Sequence, residues 1–245
     1  MNYSEMIASL EDININQSVH RGAIPHGSNL LHQLNKRELG REALYESILA
    51  LYIETRIVPY NNEDLRSYVR AVVEKTNCYM NHFWPSENNP FTHQADFTSS
   101  IIPEMLCTVF GNIISSKGID LEVSAQKDLT IECVFDITGG GKIWLKNKRV
   151  DVAVVKLSEL SFGGETTELP IPLLAIECKT NLDKNMLSGI EHSVTELKKT
   201  FPNCRYYVIT ECSDFDVAKS NYASSGIDEI YILRRQKTWS DKKKP

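Results

Sequence analysis

The apolar positions of this chain follow two different spacings, and the change between them divides it. Over the first hundred residues they recur every three to four positions, the period of an amphipathic helix. Leu44, Ile48, Leu51 and Tyr52 share a face of a helix predicted over 38–55, with Pro59 beyond its end. Asn62 is placed to cap a second helix, whose apolar face holds Leu65, Val69, Val72, Val73 and Met80 and which breaks before Pro85. Residues 86–97 are polar, contain Pro90 and have no period, so they read as a connection. A third helix is predicted over 100–117. Gly118 follows it and can take the left-handed conformation that ends helices.

From Ile119 the period shortens to that of strands. Residues 121–125 and 130–135 are β-prone pieces, and Gly139-Gly140-Gly141 turns the chain into 142–145. This triplet reads as a hairpin turn, because a phosphate-cradling loop needs wider glycine spacing and a helix directly after it. Residues 149–155 form the next strand, followed by a polar excursion over 158–168 that ends at Pro170 and Pro172. Residues 173–179 come next. They begin apolar on both faces, which places this strand inside a sheet. Leu187, Ile190, Val194, Leu197 and Phe201 mark an amphipathic helix over 183–201. Strands at 206–210 and 229–233 complete the set, and a basic tail with Trp239 frays. No internal repeat or low-complexity tract interrupts the order. The expected division is a helical region 1–98, an α/β core 99–235 and a tail 236–245.

Composition narrows the function less than the pattern does. At 42% hydrophobic and 24% charged, the 245 residues are those of an ordinary globular protein. A formal charge of -5 argues against non-specific coating of nucleic acid, yet it leaves room for basic residues confined to a cleft. The six cysteines form no C-x-x-C pair and sit mostly in apolar runs, as reduced thiols do. No basic-then-apolar leader opens the sequence, and no apolar run is expected to reach membrane-spanning length. The expectation is a cytoplasmic bacterial protein with no membrane association.

The chemistry concentrates in two strands. In Leu173-Leu174-Ala175-Ile176-Glu177-Cys178-Lys179, Glu177 and Lys179 project to one side, about 7 Å apart along the strand, while Cys178 turns away with Ile176. A covered strand holds a carboxylate and an ammonium on one face only if they are compensated. A divalent metal shared with Asp151, in Arg149-Val150-Asp151-Val152, meets that need. Competing chemistries are poorly supported. The six histidines form no H-E-x-x-H or H-x-H pair, His192 falls on a polar helix face, and no G-x-S-x-G is present. Lys142, Lys146, Lys148 and Arg149 cluster on the hairpin that leads to Asp151, either as a solvated face or as a rail for phosphates.

An aspartate followed by Glu-x-Lys on the next strand resembles the PD-(D/E)xK nucleases. The predicted α-β-β-β-α-β order, covering roughly residues 100–235, is similar to their core: a central mixed sheet flanked by helices, here with an N-terminal helical region. Ile176-Glu177-Cys178-Lys179-Thr180-Asn181-Leu182-Asp183-Lys184 further resembles the BbvCI-like restriction enzymes. The resemblance implies a type II restriction endonuclease that cuts double-stranded DNA with Mg²⁺, for which Mn²⁺ can substitute. It implies Asp151, Glu177 and the backbone carbonyl of Cys178 as metal ligands, and Lys179 as the catalytic residue that orients or deprotonates the attacking water or stabilises the charge of the transition state. Glu104, on the helix before the first core strand, is the implied fourth catalytic and metal-binding member; the plainer account is a first-turn carboxylate that complements the helix dipole. The implied assembly is a homodimer, or a heterodimer with a related subunit, alongside a cognate DNA methyltransferase. The rival readings are a structure-selective repair or resolvase-type nuclease of the same fold, and a non-catalytic DNA-binding subunit.

Overall fold

The computed structural model describes residues 5, 7–12, 25–35, 42–83, 95–138, 141–216, 222 and 225–233. The expectations for 38–41, 84–94, Gly139, Gly140 and the basic tail lie outside them. The chain divides into two compact units between Ile119 and Asp120.

The first unit is helical: α1 Pro25–Asn35, α2 Glu42–Arg56, α3 Leu65–His82, α4 Ala95–Ser99 and α5 Ile101–Ser116. The cap of α3 is Asp64, whose side chain accepts the Ser67 N–H at 2.9 Å, and not Asn62. Asn61 shapes the approach by accepting the N–H groups of Glu63 and Asp64. The apolar face of α3 packs as its period requires, with Tyr68 and Val72 against Val109 of α5 and with Leu65, Val69, Met105 and Ile113 around them. That packing binds α5 into the helical unit, so the unit boundary falls after this helix, where the sequence division placed it before. Lys117 caps α5, and Gly118 follows at φ +60°, the expected left-handed stop.

Residues 97–116 are long and apolar enough, by length and composition, to cross a membrane, contrary to the sequence expectation. The burial of Ile101, Ile102, Glu104 and Cys107 fits a core helix of this unit instead.

The second unit is a five-stranded mixed sheet in the order β1 (Glu122–Asp136), β2 (Lys142–Phe162), β3 (Glu165–Leu182), β4 (Arg205–Ser213) and β5 (Glu229–Ile232). The first three strands are antiparallel, while β3, β4 and β5 run parallel. Helix α6 (Lys184–Thr200) makes the crossover from β3 to β4. Asp183 caps it by accepting the Met186 N–H at 2.8 Å. Its Leu187, Ile190, Val194 and Leu197 pack on Ala153, Val155, Ala175, Tyr206 and Val208, and this forms the core of the unit.

Short strands expected from the sequence are joined in the fold. The pieces at 121–125 and 130–135 are one strand, with positive φ (+50°) at Gln126, the one such non-glycine residue among those described, and a register shift between Thr130 and Glu132. The polar excursion is a hairpin turned at Gly163 and Gly164 (φ +60° and +88°), because polar side chains on an exposed ladder do not prevent pairing. The ends of β2 approach each other so closely that a Cβ on Gly141 would lie 2.5 Å from the Gly163 Cα. Only glycine fits there.

Candidate active site

Asp151 and Glu177 are brought together by the antiparallel register of β2 and β3. The ladder ends at the pair Val152 and Ile176, so the next residue on each strand faces the other. Past that point the Cys178 N–H has no ladder acceptor on β2. The Asp151 carboxylate takes it at 2.7 Å, satisfying a buried backbone donor and fixing its own orientation. In a strand the N–H and C=O of one residue leave on the same side, so the Cys178 carbonyl is also directed toward β2.

Period-two alternation on β3 places Lys179 beside Glu177 as expected. The Lys179 ammonium lies 3.1 Å from one Glu177 oxygen and 3.5 Å from Asp151. One cation thus bridges two acids. Glu177 is buried at 8% exposure, whereas the Asp151 and Lys179 side chains are about one-third exposed, so the group opens to solvent on one side. Burial, reinforced by the Asp151 carboxylate and opposed by Lys179, pushes the Glu177 carboxyl above the ordinary carboxylate range. Burial lowers the pKa of Lys179, but the attraction of Glu177 and Asp151 prevails and the net shift is upward, keeping the side chain charged. A charged lysine orients and stabilises negative groups.

The central place of β3, hydrogen-bonded on both sides, means that Glu177 and Lys179 are not an edge-strand surface pair. It also exposes a residue the sequence reading passed over. Tyr206 of β4 is fully buried and its phenol donates to the second Glu177 oxygen at 3.1 Å. The parallel register pairs Tyr206 with Ala175, one side-chain step from Glu177 on the same face. No local pattern announces this contact, because it depends on a crossover of more than twenty residues.

Glu104 has a full set of partners in the helical unit. One oxygen accepts the Tyr52 hydroxyl at 2.5 Å and lies 3.1 Å from the Arg56 guanidinium; the other accepts the Gly27 N–H, in the first turn of α1, at 2.7 Å. The Arg56 and Glu104 side chains are only 4% and 5% exposed. A water-sized cavity lies beside them, and the Arg56 Nε has no hydrogen-bond partner among the described residues. The surroundings of this carboxylate are those of a structural ion pair and helix cap: Glu104 sits in the first turn of α5 as expected and also accepts from the N-terminus of α1.

The basic hairpin is partly neutralised by its own neighbours. Arg149 makes two 2.9 Å bonds to Asp128, and Lys146 lies 3.4 Å from Glu132, each across the β1–β2 ladder. Lys142 and Lys148 are exposed on the same face of β2 as Lys146.

As a donor set, Asp151, Glu177 and the Cys178 carbonyl offer oxygen only. Among the described residues, no group of three or more His, Cys, Asp or Glu side chains converges on a metal-sized site. Two under-compensated carboxylates, one with its pKa already raised, fit a hard divalent cation.

The mixed sheet, with its first three strands antiparallel, thus carries two acids and a lysine at the point where the ladder between two central strands ends. Residues 135–244, just under half of the chain and including Asp151, Glu177 and Lys179, match the family model described as Bpu10I restriction endonuclease. Among solved structures, one described as "native BbvCI A2B2 tetramer at low resolution" is similar, with a TM-score of 0.62 and 20% identity, over 97% of this chain and 87% of that one. No curated protein matches the chain. The likeness to BbvCI shows the fold, including the N-terminal helical region. The family match takes in the Ile176–Lys184 stretch.

Proposed function

We propose that this protein is a Mg²⁺-dependent type II restriction endonuclease that hydrolyses double-stranded DNA at a specific sequence. The observation that carries the reading is the convergence of Asp151 and Glu177, from adjacent strands, on the one ammonium of Lys179. Asp151, Glu177 and the Cys178 carbonyl would hold the divalent ion, which when bound stabilises charge on the phosphoryl oxygens and acidifies a water. Lys179 is poised at the edge of the site, where it orients the attacking water and stabilises the negative charge that develops on the phosphoryl oxygens. Asp151 and Glu177 are held in place by contacts made before substrate arrives, so little reorganisation is needed on binding.

In this reading Lys142 and Lys148 contact phosphates, whereas Arg149 and Lys146 must first leave Asp128 and Glu132 to do so. Glu104 organises the helical unit. One site cuts one strand, so duplex cleavage needs a second site, supplied by an identical or related chain; the A2B2 assembly of the BbvCI structure is in keeping with this. A cognate methyltransferase would protect the host sites.

The test is a gel shift on a cleavable duplex in Ca²⁺, followed by addition of Mg²⁺. Ca²⁺ supports specific retention without cutting, because its looser shell activates water poorly; Mg²⁺ then gives discrete fragments. Full cleavage in EDTA would sink the metal mechanism. Equal retention of unrelated duplexes would replace the sequence-specific reading with the structure-selective one.

A further inference from the structure

Each oxygen of Glu177 is engaged by a different group. Lys179 holds one at 3.1 Å; the Tyr206 phenol donates to the other at the same distance. Lys179 lies on the same strand as Glu177 and is about one-third exposed, so it can move with the strand and toward solvent. Tyr206 is anchored to neither. Its ring is fully buried in the core between the sheet and α6, among Ala175, Val194 and Val208.

Its backbone is fixed as well. The Tyr206 N–H donates to the Asp228 carboxylate at 2.8 Å, and the Tyr206 carbonyl accepts the Asp228 N–H at 2.9 Å. Asp228 in turn accepts from Lys198 of α6 and from Arg205, each at 2.7 Å. The phenol therefore reaches Glu177 from a braced position: Asp228 holds the start of β4, β4 holds the ring, and the ring holds the carboxylate.

We propose that Tyr206 is the positioning residue of the site, fixing the Glu177 carboxylate plane so that it meets a divalent cation together with Asp151. This rests on the reading of Asp151 and Glu177 as cation ligands. A carboxylate oxygen has two lone-pair directions, so the phenol occupies one on its oxygen and leaves the other for a ligand bond. Without the phenol, Glu177 keeps Lys179 as the partner of one oxygen, and the orientation of its carboxylate plane is no longer fixed from the second. Outer contacts of this kind are worth about 10–100-fold in metal affinity.

The experiment is a calorimetric titration with Mn²⁺ in the absence of DNA, on the full chain and on Tyr206→Phe and Asp151→Ala. Phenylalanine retains every ring carbon, so the core packing persists; a thermal midpoint measured on each protein verifies this. The expected result is a midpoint for Tyr206→Phe within a few degrees of the parent, Mn²⁺ binding weakened about 10-fold or more, and no binding by Asp151→Ala. In cleavage assays the same variant should recover rate when Mg²⁺ is raised by the corresponding factor, as a residue acting through metal affinity must.

Parent-like Mn²⁺ affinity in Tyr206→Phe, with binding lost in Asp151→Ala, would overturn the role of Tyr206 and leave the metal site standing. Weaker binding accompanied by a collapsed midpoint, with no recovery at high Mg²⁺, would overturn it in favour of a packing role. If the parent chain itself takes up no Mn²⁺, the cation reading of Asp151 and Glu177 falls, and the role of Tyr206 with it.

Discussion

Replacing Glu104 with alanine separates the two roles this residue has been given. In the structure the carboxylate is the acceptor for three donors: the Tyr52 hydroxyl, the Arg56 guanidinium and the Gly27 N–H. Truncation strips all three at once and leaves Arg56, whose side chain is 4% exposed and whose Nε has no partner among the described residues, without its carboxylate. Breaking a buried ion pair from one side costs about 3–5 kcal/mol, because the remaining charge is uncompensated. The lost cap on α1 adds to this, with about 1 kcal/mol typical of such contacts. Domains are stable by only about 5–15 kcal/mol in total, so the helical unit should lose a large part of its stability. Urea unfolding followed by circular dichroism measures the loss. The double variant Arg56→Met with Glu104→Met should recover much of it, since apolar side chains of similar volume replace a buried pair at little cost. An alanine variant with parent stability and no cleavage would refute this reasoning and restore Glu104 to the metal site.

Three further outcomes are expected. Lys179→Ala should slow cleavage about 100-fold or more, the scale for one preorganised charge, while retention of DNA in a gel shift survives; near-parent rates would remove Lys179 from the mechanism. His26, fully buried between Phe97, Ser100 and Tyr79, has its pKa lowered from 6.5 to about 4, chiefly by desolvation. The unfolded chain therefore takes up the proton first: the stability is complete above pH 6.5, about 2 kcal/mol is lost by pH 5, and the loss levels off below about pH 4. The difference in urea stability between the parent and His26→Gln should follow that curve, and a ring resonance titrating near 6.5 by NMR would contradict it. Gly141→Ala, at φ +81° with the Gly163 Cα 2.5 Å from the new Cβ, should destabilise by more than Gly118→Ala, at φ +60° in open space, where about 1–2 kcal/mol is the expected cost. Equal thermal midpoints for the two variants would mean that the hairpin ends do not meet as described.

The elements of this protein were legible where a single period ran uninterrupted. Leu187, Ile190, Val194 and Leu197 announce α6 because burial on one helix face leaves a mark every three or four residues. The same-side placement of Glu177 and Lys179 follows from the pleat alone. The central position of β3 follows from the apolar residues on both its faces. Lengths were less legible: polar positions at 158–168 suggested an excursion, yet a ladder tolerates polar residues wherever its face meets water. Three things waited on the tertiary structure. The register of β2 against β3 sets Asp151 beside Glu177; the crossover through α6 brings Tyr206 to the same carboxylate; and the packing of α5 on α3 gives Glu104 to the helical unit. The reason is common to all three. Periodicity records whether a side chain is covered, but the identity of what covers it depends on residues distant in the chain, and a local pattern carries no term for them.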